Sequence, residues 1–178
     1  IRTGTNTLAL VINGSVAQTW QSDGTILLNT QSAFLATNSV TDTGVTGNNT
    51  VYLVICNNEI YDRNGDYNNA TGVFTAPQTG IYHLDGVVEV AGMSAAATVM
   101  EIQFVTSNRT FYNLAHRTST GFGDTDTRDL HYSVDADMDA ADTVSMRVRV
   151  NGNSADTVDV QGGVATDSTT FFSARLVA

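Results

Sequence analysis

"TGVFTAPQTGIYHLDGVVEV", residues 71 to 90, decides the fold. Pro77 is the only proline of the chain. Its fixed φ and missing N–H make "APQTG" a bend that closes one strand, and Gly80 supplies the permissive backbone that opens the next. Beyond the bend, Tyr82, Leu84, Val88 and Val90 fall on one side. His83, Asp85 and Glu89 share the other with Ile81 and Val87, the period of two of a strand with one buried face. Phe74, Tyr82 and Leu84 are spaced to meet across the bend as core.

The same period governs the rest. In "VSMRVRV", Val144, Met146, Val148 and Val150 alternate with Ser145, Arg147 and Arg149, and Met100, Ile102 and Phe104 form a third such face. No segment carries a capped amphipathic helix; "MSAAATVM" (93 to 100) is short and leads into β-patterned residues. Two runs, "LALVI" (8 to 12) and "VYLVIC" (51 to 56), are apolar at every position. They are expected to be covered on both faces, which in an antiparallel sandwich implies a neighbouring chain. Turn clusters such as "NGS", "SDG", "TGNN", "DRNGDYNN", "GFGD" and "NGNS" punctuate the strands. The spacing predicts an all-β antiparallel sandwich of the jelly-roll kind. Residues 1 to 30 read as a small β-meander, too short to be stable alone. Residues 31 to 178 form the main domain.

With 18 acidic residues against 8 arginines and no lysine, the formal charge is −10. Nucleic acid, whose phosphates require clustered cations, is a poor partner for such a chain. The single cysteine, Cys56, cannot form an intrachain disulfide and is expected to be a buried, inert thiol. No apolar run has the length of a membrane span, and "IRTGTNTLAL" lacks the features of a signal peptide, so membrane insertion is not expected. The absence of an initiating Met suggests a piece of a longer chain.

"NNATGVFTAPQTGIYHL" resembles the signature of the globular head of complement component 1q and its relatives, which share the tumour necrosis factor type of jelly roll. Gly72, Phe74, Pro77, Gly80 and Tyr82 match, with Leu84 where the family usually has Phe. "DAADTVSMRV" is similar to the family's Gly-Asp-x-Val strand start, with Ala141 in place of Gly. "STTFFSARLVA", containing Phe172, is similar to its closing Phe-Ser-Gly-x-Leu strand, with Ala174 in place of Gly. "QSAFLAT" (31 to 37) resembles its first strand. The resemblance implies a homotrimer with the long strands around a threefold axis. A short meander with "SDG" ahead of such a head is similar to the ends of bacteriophage tail fibres, where a β-stalk leads into a trimeric tip.

Little in the sequence points to catalysis. No Gly-x-Ser-x-Gly motif is present, His83, His116 and His131 are scattered, and Glu59, Glu89 and Glu101 form no recognisable acid pair of the kind a polysaccharide depolymerase needs. The chain is therefore expected not to be an enzyme and to need no cofactor, with calcium as the one candidate. "DRNGDYN" alternates Asp62, Asn64, Asp66 and Asn68, but Tyr67 stands where the helix-loop-helix calcium motif needs Gly, and Val73 where it needs Glu. Asp124, Asp126 and Asp129 are the candidate calcium ligands, since relatives of this head sometimes hold calcium near the trimer axis or apex. "DADMDAAD" offers a further cluster at Asp135, Asp137, Asp139 and Asp142.

Arg109, Phe111 and Tyr112 follow the "SNR" turn, and Phe122 and Asp124 sit in "GFGD". These five are the candidate receptor-binding residues, presented in three copies so that weak contacts sum to avidity. The resemblance implies a virion protein, the distal tip of a bacteriophage tail fibre. Its partners would be itself, other fibre or virion proteins, and a bacterial surface polysaccharide or protein receptor. The alternative is a capsid decoration or fibre-trimerisation module that binds no receptor.

Overall fold

A computed structural model describes residues 7–28, 30–116, 126–163 and 167–178, and every regular element among them is a strand. In chain order these are β1 (Leu8–Ile12), β2 (Ser15–Trp20), β3 (Ile26–Leu28), β4 (Ala33–Thr37), β5 (Asp42–Thr46), β6 (Val51–Leu53), β7 (Asn58–Asp62) and β8 (Tyr67–Asn68). There follow β9 (Val73–Thr75), β10 (Gly80–Met93), β11 (Val99–Thr106), β12 (Thr110–His116), β13 (Asp126–Met138), β14 (Thr143–Asn151), β15 (Val158–Val160) and β16 (Phe171–Leu176).

Two sheets make the head, and the fold is an antiparallel jelly roll. One sheet is built on β10, which pairs with β13 on one side and with β16 and β15 on the other. From β16 the sheet continues through β4 to β7, and β5 joins β15. The second runs β12, β11, β14, β9, β8, with β6 also on β14. The alternation expected for these strands is realised: Tyr82, Leu84, Val88 and Val90 are fully buried, as are Ile102, Phe104, Met146, Val148 and Val150. These two inner faces enclose an aromatic centre in which Phe34, Phe74, Phe104 and Phe172 have no exposed surface.

The bend around Pro77 lies between β9 and β10. Gly72 ahead of it holds φ +69°, a left-handed conformation that glycine adopts without cost. Gly80 is required for a different reason: a Cβ there would lie 2.6 Å from the Ala178 carbonyl oxygen and 2.7 Å from Leu176 Cδ1. Phe74 and Tyr82 meet across the bend edge to face, with centroids 5.6 Å apart.

The meander is a sheet of its own, β1-β2-β3, whose Asn13-Gly14 turn has both residues at positive φ, as two-residue hairpins favour. It does not join the ladders of the head. The apolar runs behave differently from expectation. In "LALVI" only Ala9 is buried, while Leu8, Leu10 and Ile12 are exposed, so one face of the meander is uncovered. "VYLVIC" is not a single strand. It leaves the ladder after Leu53, so Val54 and Cys56 enter the core from irregular backbone while Val51 stays exposed. No second layer is needed to cover that run, and it says nothing about a neighbouring chain. Burial pushes the Cys56 thiol up to about 12, in keeping with an inert sulfur.

Candidate functional site

The β11–β12 hairpin carries three of the five candidate receptor residues. Thr106 organises its turn: its backbone N–H and its hydroxyl both donate to the Arg109 carbonyl (2.9 Å each), and its hydroxyl oxygen accepts from the Arg109 N–H at 3.0 Å. Arg109 extends outward, pairs with Asp137 at 3.0 Å and lies 5.9 Å over the Phe111 ring. Both charges are at least half exposed, so the pair contributes at most about 1 kcal/mol. Register separates the two aromatics. Phe111 stands opposite Phe104 and packs against the core, whereas Tyr112 stands opposite Gln103 and is 58% exposed. Leu114, opposite Glu101, is also exposed. Phe122 and Asp124 lie outside the described residues.

Beside Tyr112 and Leu114 on the same surface runs a polar stripe that sequence reading did not single out. Glu101 is buried and its carboxylate is fully engaged: Arg149 donates to one oxygen through Nε and Nη2, and Gln103 donates to the other. Arg149 also donates to Asn49. This carboxylate is a structural ion-pair member. Of the other two glutamates, Glu59 lies on β7 and Glu89 on β10 opposite Asp129, so the three do not converge.

The acidic clusters are used largely within their own turns. Asp62 accepts backbone N–H bonds from Gly65, Asp66 and Tyr67, which turns the "DRNGDYN" carboxylate toward its loop. Asp142 accepts from the Asp139 N–H and from Asn108 Nδ2. Asp129 is exposed on β13; Asp124 and the Asp126 side chain lie outside the description. Among the described residues no group of three or more His, Cys, Asp or Glu side chains is arranged to hold a metal ion.

The outer face of the β10 sheet gathers residues distant in sequence. One cross-strand row reads Tyr61, Leu35, Ser173, Asp85, Ser133, and a neighbouring row reads Ala33, Arg175, His83, Asp135. His83 Nδ1 lies 2.7 Å from Asp135, and His131 Nε2 lies 2.6 Å from Asp85. Tyr61 and Ile81 are exposed, and Leu35, Val87 and Phe171 are half-buried on this face, where Leu35, Tyr61 and Phe171 border a shallow cleft with Asp85. Two of the three histidines, scattered in sequence, thus share one surface.

No protein-family model matches the sequence, and no curated protein matches it. Among solved structures, the globular domain of a zebrafish complement 1qA protein superposes with a TM-score of 0.55 at 12% identity, covering 83% of this chain and 98% of that one. Murine APRIL superposes with a TM-score of 0.53 at 11% identity, covering 83% and 99%. At such identities the likeness is one of fold: this chain is a jelly roll of the complement 1q and tumour necrosis factor type.

Proposed function

We propose that this chain is a non-enzymatic, homotrimeric virion protein, the distal tip of a bacteriophage tail fibre that binds a receptor on the host cell surface. The observation that carries the trimer is the outer face of the β10 sheet, where Leu35, Tyr61, Ile81, Val87 and Phe171 present exposed or half-buried apolar surface that no described element of the head covers. Packing three such faces about an axis along the long strands removes that surface from water. The opposite sheet then faces outward and offers Tyr112, Leu114 and Arg109 in three copies to a bacterial polysaccharide or protein, with avidity rather than single-site affinity as the mechanism. The meander forms the end of the stalk. Particles whose fibres lack residues 31 to 178 are expected to lose adsorption to host cells; undiminished adsorption would contradict this function.

A second reading is favoured by the meander itself, which exposes Leu8, Leu10, Ile12, Ile26, Leu27 and Leu28. Such a surface suits a capsid decoration or fibre-trimerisation module without a receptor. It predicts a chain that trimerises and is indifferent to host cells.

A further inference from the structure

The outer face of the β10 sheet carries two arginines on its β7 side and carboxylates along its β13 edge. On the β7 side of β10, Arg63 and Arg175 flank Ala33 of β4: Arg175, on β16, is its cross-strand partner, and the Arg63 N–H, just past the end of β7, donates to its carbonyl at 3.1 Å. Both arginines are exposed, and neither guanidinium has a hydrogen-bond or ion-pair partner among the described residues. In a chain of net charge −10 two unpaired cations side by side are conspicuous. They line a cleft of about 640 Å³ whose other walls include Tyr61 and, from the meander, Ile26, Leu27 and Leu28. At the β13 edge of the same face stand Asp135 and Asp137. Each has one oxygen engaged, by His83 and by Arg109, and each side chain is still more than 60% exposed, with no partner for the second oxygen among the described residues.

Arg175, His83 and Asp135 lie in one cross-strand row, so the cations and the carboxylates sit at the same height along the strands, with Arg175 about 10 Å and Arg63 about 20 Å from the β13 edge at the usual strand spacing. A ring of identical chains about an axis parallel to the strands keeps heights equal and joins one edge of each face to the other edge of the next. We infer that the cleft holding Arg63 and Arg175 is a socket for the acidic β13 edge of a second copy of this chain, with Asp135 and Asp137 of that copy supplying the missing acceptors. This rests on the trimer reading above and adds to it the register and direction of the ring. Charge complementarity of this kind fixes the rotational register and excludes face-to-face pairing, which would set arginine against arginine.

The test is sedimentation equilibrium on the full 178-residue chain, comparing wild type, the double variant Arg63→Glu/Arg175→Glu, and the charge swap Arg63→Glu/Arg175→Glu/Asp135→Arg/Asp137→Arg. Circular dichroism establishes that each is folded. The double variant is expected to fall to single-chain mass at concentrations where wild type is trimeric, and the swap to return to trimer. A folded double variant that stays trimeric, or a folded swap that stays a monomer, overturns the socket while leaving the trimer reading standing. A monomeric wild type overturns both. Independently of any variant, the wild-type trimer is expected to loosen at least tenfold as salt rises and screens these pairs. A trimer indifferent to salt overturns the socket.

Discussion

The ring of Tyr67 lies flat on that of Phe34, centroids 4.3 Å apart and planes 7° from parallel. Phe34 belongs to β4 in one sheet and Tyr67 to β8 in the other, so the stack fastens the two layers directly. The Tyr67 hydroxyl donates to the Cys56 carbonyl at 3.0 Å, so no polar atom of that ring is stranded by burial. Phe34 also meets Phe74 and Phe172 at 5.3 and 5.1 Å. Phe34→Ala is expected to cost about 3–5 kcal/mol, more than most core truncations, because it opens a cavity against three rings at once. Urea denaturation checks this. A loss below about 1 kcal/mol would mean that the layers are held elsewhere.

Ala141 sits at φ +74° in the turn between β13 and β14, where the family resemblance has glycine. A Cβ in the left-handed region costs about 1–2 kcal/mol, and Ala141 is exposed, so its methyl contributes little packing in return. Ala141→Gly is therefore expected to stabilise the chain by about 1 kcal/mol, after the added entropy of the unfolded glycine is subtracted. A rise in the denaturation midpoint checks it, and a fall would contradict it.

The alternation in "VSMRVRV" and "IYHLDGVVEV" was sufficient to assign the buried face of β14 and β10, because a period of two states which side a residue takes before any partner is known. What the sequence could not state is register. That Phe111 turns inward and Tyr112 outward follows from the pairing of β12 with β11. That Arg175 lies beside Arg63 follows from β16 and β7 flanking β4. The apolar run "VYLVIC" misled because composition alone does not reveal where a ladder ends.

The Thr50 hydroxyl and the Asn48 N–H donate to the two oxygens of Asp156 at 2.6 and 2.9 Å, holding its carboxyl below the usual 3.8. A carboxyl with a lower folded than unfolded value binds fewer protons when folded. Its stabilisation is thus complete above about pH 4 and disappears as pH falls through the folded value. An NMR carboxyl titration is expected to place the Asp156 midpoint below 3.8 in the native chain, and Thr50→Val is expected to raise it. A midpoint unmoved by that substitution would remove the hydroxyl as the cause.

Tyr112 contributes little to the fold from its exposed position, so Tyr112→Ala is expected to change stability by no more than about 0.5 kcal/mol. In the receptor-binding reading the same substitution lowers adsorption to host cells more than tenfold, because the loss is repeated at three sites. Unchanged adsorption together with unchanged stability would move recognition away from this hairpin and favour the module without a receptor.

In the proposed trimer, three copies of this jelly roll close around the outer face of the β10 sheet. Solution mass by multi-angle light scattering on the 178-residue chain tests it most directly. The expected mass is about three times the 18.9 kDa of a single chain. A stable particle of single-chain mass would contradict it.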